Sequence, residues 1–446
     1  MNVTRDSSVT MGIKVCKFGG TSLADAQQFR KVQAIVQEDP ERRYVVPSAP
    51  GKRSKDDQKI TDLLYLCHEL ARQSIPMDDV FERIATRYRQ LVTELKLPLD
   101  LTPHLETVRT EIPRQGADYA ASRGEALNGL IVAALLGFDY VDAAEVILFD
   151  RRGRFEPEKT QRVLSERLAR HARAVIPGFY GMQPNGAVKT FSRGGSDITG
   201  AIVARAAGAA MYENWTDVSG LLMADPRIVP DPKVIRTVTY SELRELAYMG
   251  ATVLHPDAIR PVREASIPIN IRNTNDRDAP GTTIVADKFG RVTADITGVA
   301  GRSEFTVITI AKALMNEEVG FGRRVLTVLE SNGINFEHMP SGIDTISVVV
   351  SDQQLNGKLE KVLAEIRAAC QPDSVEVRSN IALIATVGRG MAHRPGIAAR
   401  LFTALAQAKV NVVMIDQGWS EMNIIVGVTT EDYEQSIRAI YQAFVK

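Results

Sequence analysis

The stretch VCKFGGTSLADAQQF, residues 15–29, turns from an apolar run into a helical pattern within a few residues. VCKF reads as the end of a buried strand, and LADAQQFRKVQAIVQ (23–37) as an amphipathic helix. Between them lie Gly19, Gly20, Thr21 and Ser22, with Lys17 at the strand end. A glycine-rich turn of this kind exposes backbone N–H groups, and the helix N-terminus adds partial positive charge. With the full charge of Lys17, the junction suits a phosphate. Its spacing is neither the P-loop nor G-x-G-x-x-G. Taken alone, it therefore also reads as a tight turn with Thr21 or Ser22 capping the helix.

Working outward, IKVCKF (13–18), YVVPSA (44–49), YVDAAEVILF (140–149) and RAVIPGFYG (173–181) read as strands or strand ends, with helical patterns such as GEALNGLIVAALLG (124–137) between them. This alternation runs to about residue 290 and predicts a mainly parallel sheet covered on both faces, with ligands beyond the carboxyl ends of its strands. A second glycine turn lies in TFSRGGSDITGAIVARAAGAAM (190–211), where Gly194 and Gly195 precede Ser196 and Asp197. Those two can cap a helix of small residues, and Arg193 suits a bidentate clamp on a carboxylate or phosphate. In ENWTDVSGLLMADPR (213–227), Thr216 and Asp217 suit a nucleotide and Arg227 its phosphates, against a plain turn at Asp225–Pro226. Ser122 and Glu125 have capping-box spacing, which competes with a Glu125 that binds an ammonium group. Trp215 reads as core and His255 as a hydrogen-bonded turn residue. GKRSKDD (51–57) reads as a solvated loop, with a lid over the site as the alternative.

The last 150 residues behave differently. GFGRRVLTVLESNGINFEHM (320–339) matches GIAARLFTALAQAKVNVVMI (396–415) at a constant offset of 76, including Gly320 with Gly396, Arg324 with Arg400 and Asn335 with Asn411. Each copy reads strand, helix, strand, strand, helix. SVEVRS (374–379) closes the first copy, while the second lacks a closing strand that DITGVAGR (295–302) can supply. The first module is therefore expected inside the second.

Composition narrows the class. The chain has 446 residues, too many for one ordinary core, with 54 Lys plus Arg against 54 Asp plus Glu. No charge excess favours nucleic acid or a membrane. Cys16, Cys67 and Cys370 are far apart, which argues against a disulfide framework and fits a reducing cytoplasm. Six scattered histidines show no metal-ligand spacing, so no metal centre built from side chains is expected. Residues 1–10 read as a loose tail.

Taken together, KFGGTS (17–22), GE (124–125), GFYG (178–181), SRGGSD (192–197), WTDVSG (215–220), DPR (225–227) and VLHP (253–256) resemble the aspartokinases of the amino-acid kinase family, in family order. The C-terminal repeat resembles their paired ACT domains. The resemblance implies an α/β amino-acid kinase fold, an open, mainly parallel twisted sheet in an α/β/α sandwich, over residues 11–290. Two ferredoxin-like ACT modules (βαββαβ) would follow, one at 303–380 and the other from 295–302 plus 381–446. It implies transfer of a phosphoryl group from ATP, with magnesium on the phosphates, to the side-chain carboxylate of L-aspartate, the step that opens the lysine, threonine and methionine pathway. By resemblance, Lys17 and Asp197 are catalytic. Ser48, Thr61, Glu125, Phe179, Arg193 and Ser196 bind aspartate, with Glu125 on the ammonium and Arg193 on the α-carboxylate. Lys17, Gly19, Gly20, Thr216, Asp217, Leu222 and Arg227 bind the nucleotide. An end product, lysine or else threonine, would bind near Met315, Gly320, Phe321, Asn335, Phe336 and Glu337 and inhibit by feedback, in a homodimer or larger homo-oligomer joined through the ACT domains.

Two departures stand out. Thr252 replaces a lysine of the pattern GAKVLHP, and Leu222 replaces a tyrosine found near the adenine in some relatives. They keep a second class in view, a nucleotide-binding sensor with a decayed kinase domain. A kinase for glutamate or N-acetylglutamate is a third. Nothing follows the second repeat, so no homoserine dehydrogenase part is expected.

Overall fold

The computed structural model describes residues 12–445 except 193, 252, 253, 255, 291 and 293, with residues 256 and 257 described by backbone only. The chain divides into two compact units. The first holds everything described up to Leu221, Val234–Tyr240 and the segment ending at Gly290; the second holds Leu222–Lys233, the segment beginning at Ser241, and the chain beyond Gly290. Among the described residues no helix is long and apolar enough to cross a membrane.

The first unit contains β1 (Lys14–Phe18), β2 (Arg42–Pro47), β3 (Asp139–Tyr140), β4 (Ala174–Val175), β5 (Tyr180–Met182), β6 (Val188–Thr190), β7 (Met211–Thr216), β8 (Thr237–Thr239), β9 (Ile269–Asn273) and β10 (Thr282–Val285). Eight of these form one sheet in the order β3-β4-β2-β1-β7-β9-β10-β8, and β5 with β6 makes a separate hairpin. The large sheet is parallel except for the pair β9–β10. The stretch 140–149 departs from the expected strand: Tyr140 ends β3, and a short helix, Ala143–Val146, follows. Asp142 starts that helix by accepting the Ala144 N–H at 2.9 Å.

Side-chain alternation along β1 sorts its residues between two faces. Cys16 and Phe18 pack with Trp215 and with apolar residues of α1 (Ala26–Glu38), α2 (Ile60–Arg72), α3 (Asp78–Glu94) and α4 (Ala117–Leu136). Lys17 points the other way, beside its register partner Asn214. That face carries α5 (Gly195–Ala206), whose small residues allow close approach. A Cβ on Gly200 would lie 2.5 Å from the Tyr212 hydroxyl. Trp215 is core, as the sequence reading expected. Its Nε1–H donates to Glu213 at 2.9 Å, and the Arg272 guanidinium lies 4.6 Å from its ring centre.

In the second unit, β11 (Gly298–Ala311), α6 (Phe321–Ser331), β12 (Thr345–Ser351), α7 (Leu359–Cys370), β13 (Ser374–Val387), α8 (Ile397–Gln407), β14 (Met414–Asp416), β15 (Asn423–Thr429) and α9 (Tyr433–Phe444) follow in order. One antiparallel sheet runs β12-β11-β13-β15-β14. The starts of α6 and α8 keep the offset of the sequence repeat. The two long strands serve both copies. Phe305–Ala311 pairs with residues from Ser374 to Ile381, and Gly298–Arg302 pairs with Leu383–Val387, with a register shift between them. Each copy has its own core, one around Ile308, Val325, Val348 and Ile366, the other around Ile384, Leu401, Val426 and Ile440.

Further regions differ from the sequence reading. The second strand expected in the first copy is reduced to two isolated bridges to β12, His338 with Val349 and Ser341 with Ile346, and the Asn335 N–H before them donates to the Gln354 side chain at 2.7 Å. Inside the expected 11–290 span, the segment beginning at Ser241 belongs to the second unit, as does Leu222–Lys233. In the latter, Ala224, Ile228 and Val229 pack with Ile296, Val299 and Ile384, and Met223 O accepts the Val299 N–H at 2.7 Å.

Candidate active site

The turn after β1 is built from close backbone approaches. Gly19 N–H donates to Trp215 O at 3.0 Å, Ser48 N–H to Phe18 O at 3.0 Å, and Gly51 N–H to Gly20 O at 2.8 Å. The two loops meet at Gly20 and Gly51 so closely that a Cβ on Gly51 would sit 2.4 Å from the Gly20 carbonyl carbon. Neither Thr21 nor Ser22 caps the helix. GTSL forms one short turn, and Asp25 caps α1 by accepting Gln28 N–H at 2.9 Å. Ser22 instead bonds Thr274 between hydroxyls at 2.8 Å.

The second glycine turn interlocks with GFYG. Gly194 takes φ 58°, a left-handed conformation that favours glycine, and starts α5 without a side-chain cap. Ser196 and Asp197 lie inside the first turn, so they are not caps. Cβ atoms on Gly195 and Gly178 would come 2.5 Å from Phe179 and 2.6 Å from Ser196 Oγ. Phe179 itself has φ 82°, and its N–H bonds Thr199 Oγ1 at 3.0 Å. Such a backbone in a bulky residue is costly and is held by its surroundings.

These turns converge on one cavity of about 220 Å³. Lys17 lines it from β1, Ser48 from the end of β2, Thr61 from α2, Glu125 from α4, Phe179 from the loop before β5, and Gly194, Gly195, Ser196 and Asp197 from the start of α5. The Lys17 ammonium is buried, 2.5 Å from Asp197 Oδ1 and 3.5 Å from Asn214 Oδ1. Asn214 Nδ2 donates to the same Asp197 oxygen at 2.9 Å. Asp197 thus fixes the direction of the cation. Arg193, the expected α-carboxylate clamp, lies outside the described residues, as do Thr252 and His255.

Glu125 is not a cap. The helix α4 begins at Ala117, and Ser122 donates to Tyr119 O at 2.7 Å within it. The Glu125 carboxyl is buried, which pushes its pKa up to about 8. Glu125 is part of the cavity wall, and its Oε2 is buried without a partner. A buried carboxyl oxygen without a partner is electrostatically unsatisfied, and a cation beside the carboxyl would relieve it.

Thr216 and Asp217 follow β7, the strand beside β1, at its carboxyl end. Thr216 Oγ1 donates to Asp217 at 3.1 Å. Leu222 and Arg227 belong to the second unit. There Asp225 holds the exposed Arg227 side chain, with Nη2 at 2.6 Å. Loop 51–57 is tied down rather than loose. Asp57 pairs with Arg53 at 3.0 Å and with buried Arg87 at 3.3 Å. Those cations hold the Asp57 carboxyl well below its usual range. Arg87 also donates to Ala24 O at 3.2 Å and to Gly51 O. Sequence motifs missed Arg87 and Asn128; their only signal was a charged or amide residue on an otherwise apolar helix face.

In the second unit, Met315 and Phe321 are core side chains. Gly320, at φ 82°, precedes α6; Asn335 and the exposed Phe336 precede Glu337, whose carboxylate accepts the Tyr248 hydroxyl.

Among the described residues no cluster of three or more His, Cys, Asp or Glu side chains could hold a metal ion.

Comparison with known proteins gives a concordant picture. The model of the amino acid kinase family matches residues 12–273, and that of an ACT domain matches 384–444. Aspartokinase 3 of Bacillus subtilis is 39% identical over 97% of this chain and 98% of its own. The aspartate kinase structure of Clostridium acetobutylicum superposes with a TM-score of 0.90 at 53% identity, covering 97% of this chain and 100% of that one. Aspartokinase III of Escherichia coli, solved with aspartate and ADP, gives 0.72 at 25% identity, again covering 97% and 100%. The same enzyme with lysine and aspartate gives 0.73 at 26%, over the same shares.

Proposed function

Because the chain belongs to the amino acid kinase family, and within it to the aspartokinases, we propose that it transfers the γ-phosphoryl group of ATP to the side-chain carboxylate of L-aspartate. The product is 4-phospho-L-aspartate, and an end-product amino acid regulates the step. One observation carries this reading: a single cavity lined by both the Lys17–Asp197 pair and Glu125, whose Oε2 is buried without a partner. Its volume, about 220 Å³, lies below the range of about 300–1,000 Å³ typical of drug-sized ligands and suits a small polar metabolite.

The chemistry needs little from the protein beyond placement and charge. A carboxylate is already ionised near neutral pH, so no general base is required. One oxygen of the aspartate side chain bonds the γ-phosphorus, the bond to the bridging oxygen breaks, and ADP leaves with the electron pair. The barrier is the approach of an anion to a polyanion, which positioning and cations lower. Lys17, aimed by Asp197, neutralises charge on the transferring group, and the Gly19 and Gly20 amides cradle it. Magnesium accompanying the nucleotide would supply further neutralisation of the phosphates. Glu125 takes the substrate ammonium and Arg193 its α-carboxylate, while Ser48, Thr61, Phe179 and Ser196 shape the pocket. Thr216, Asp217, Leu222 and Arg227 serve the nucleotide.

Lysine is the proposed effector, with threonine as the alternative. Support comes from the Escherichia coli relative, solved with lysine in its T-state. The regulatory modules are residues 303–380 and 295–302 with 381–446, joining subunits into at least a homodimer. Gly320 and the Asn335–Glu337 segment are the proposed effector contacts; Met315 and Phe321 act from the core beneath. We place the enzyme in the cytoplasm.

Trapping the acyl phosphate with hydroxylamine, using full-length protein, MgATP and a panel of aspartate, glutamate and N-acetylglutamate, tests the reading. Hydroxamate from aspartate alone supports it. Product from another acid, or from none, overturns it.

A further inference from the structure

One residue beside the cavity has a fully buried polar group that the mechanism above does not use. Asn128 lies one helical turn beyond Glu125 on α4, so the two side chains share a face. The helix approaches the end of β2 closely, since a Cβ on Gly124 would lie 2.9 Å from the Ala49 Cβ. At that approach Asn128 Nδ2 donates to Ser48 O at 2.6 Å. Ser48 and Glu125 line the same cavity. The Ser48 C=O is thus held by α4 through Asn128. A second bond, Ser48 N–H to Phe18 O at 3.0 Å, joins this corner to β1.

The arrangement leaves Asn128 Oδ1 without a partner in a fully buried position. A buried acceptor with no partner is costly and rare, so packing alone would be better served by leucine. What the amide provides and leucine cannot is the donor to Ser48 O. We propose that Asn128 is a positioning residue for recognition of the amino-acid substrate: by holding the Ser48 carbonyl it fixes the corner of the cavity that Ser48 and Glu125 line together, and so sets the pocket in which Glu125 meets the ammonium group. This rests on the assignment of Glu125 to that ammonium.

The test uses full-length Asn128→Leu and Asn128→Asp, the second keeping shape and volume, with Glu125→Gln in parallel. Steady-state rates are measured against aspartate and against MgATP between pH 6 and 9. Both Asn128 variants are expected to raise KM for aspartate by about tenfold, the order of one lost hydrogen bond. KM for ATP stays within about twofold, and the pH midpoint of kcat/KM for aspartate moves because the Glu125 environment changes. Unchanged KM for aspartate and an unchanged pH midpoint in both variants would overturn the proposal. So would equal rises in both KM values, the mark of general disruption. If Glu125→Gln leaves KM for aspartate unaltered, the ammonium assignment itself fails, whatever Asn128 does.

Discussion

Glu125 and Lys17 are both buried ionisable groups, but their surroundings differ. Lys17 has Asp197 and Asn214 beside it, whereas one oxygen of Glu125 has no partner. Replacing Lys17 with Met should lower kcat by about 10²–10³-fold, the usual effect of losing one group that meets developing charge. Circular dichroism should remain native. Glu125 predicts a pH dependence. Its folded pKa, about 8, is above the ordinary carboxyl value, so the folded state holds the proton more tightly than the unfolded state. Its contribution to stability is therefore full below the unfolded pKa and is lost as pH rises to about 8. Chemical denaturation across pH 5–8 should show a shallower decline in Glu125→Gln than in the parent. Aspartate binding should run the other way, with KM falling as pH rises through the same window, because the ammonium needs the ionised carboxyl. The motif GE found this residue, but the capping-box spacing misled. Nothing in ADYAASRGE breaks a helix, so α4 starts at Ala117 and carries both Ser122 and Glu125 inside.

Among the elements, α3 and α5 matter most for the site. Arg87 on α3 holds Ala24 O, Gly51 O and Asp57 together beneath the phosphate-type turn. Arg87→Met should destabilise the fold by about 3–5 kcal/mol, since it strands buried partners of a charged group. A shift in denaturation midpoint without a change in m-value checks this. On α5, Gly195→Ala would drive a methyl into Phe179 and should raise KM for aspartate more than KM for ATP. Helices and glycine turns were legible because periodicity and turn chemistry are local. The short helix Ala143–Val146 inside the expected strand 140–149 and the lost strand around 334–339 were not. Each carries a side-chain hydrogen bond, Asp142 accepting the Ala144 N–H and Gln354 accepting the Asn335 N–H, that hydrophobic periodicity does not reveal.

On the scale of the whole chain, the repeat is the feature most fully written in the sequence, since α6 and α8 keep its offset and each copy has a separate core. Less legible was the division of the chain. Leu222–Lys233 reads as part of the first half, yet Ala224, Ile228 and Val229 complete an apolar core of the second unit. Apolar residues in a turn-rich stretch do not state which core they fill. If the repeat is a sensor, millimolar lysine or threonine should inhibit the full-length enzyme, and Glu337→Ala should weaken that inhibition while sparing the uninhibited rate. Flat titrations with both amino acids would remove the regulatory assignment. The central claim, that a cavity under Lys17, Asp197 and Glu125 activates the aspartate side chain, is tested most directly by hydroxylamine trapping with aspartate and MgATP in the parent and in Lys17→Met. The account predicts aspartyl hydroxamate from the parent and a loss of about 10²–10³-fold in the variant. A parent that binds nucleotide yet forms no hydroxamate, or a variant as active as the parent, would contradict it.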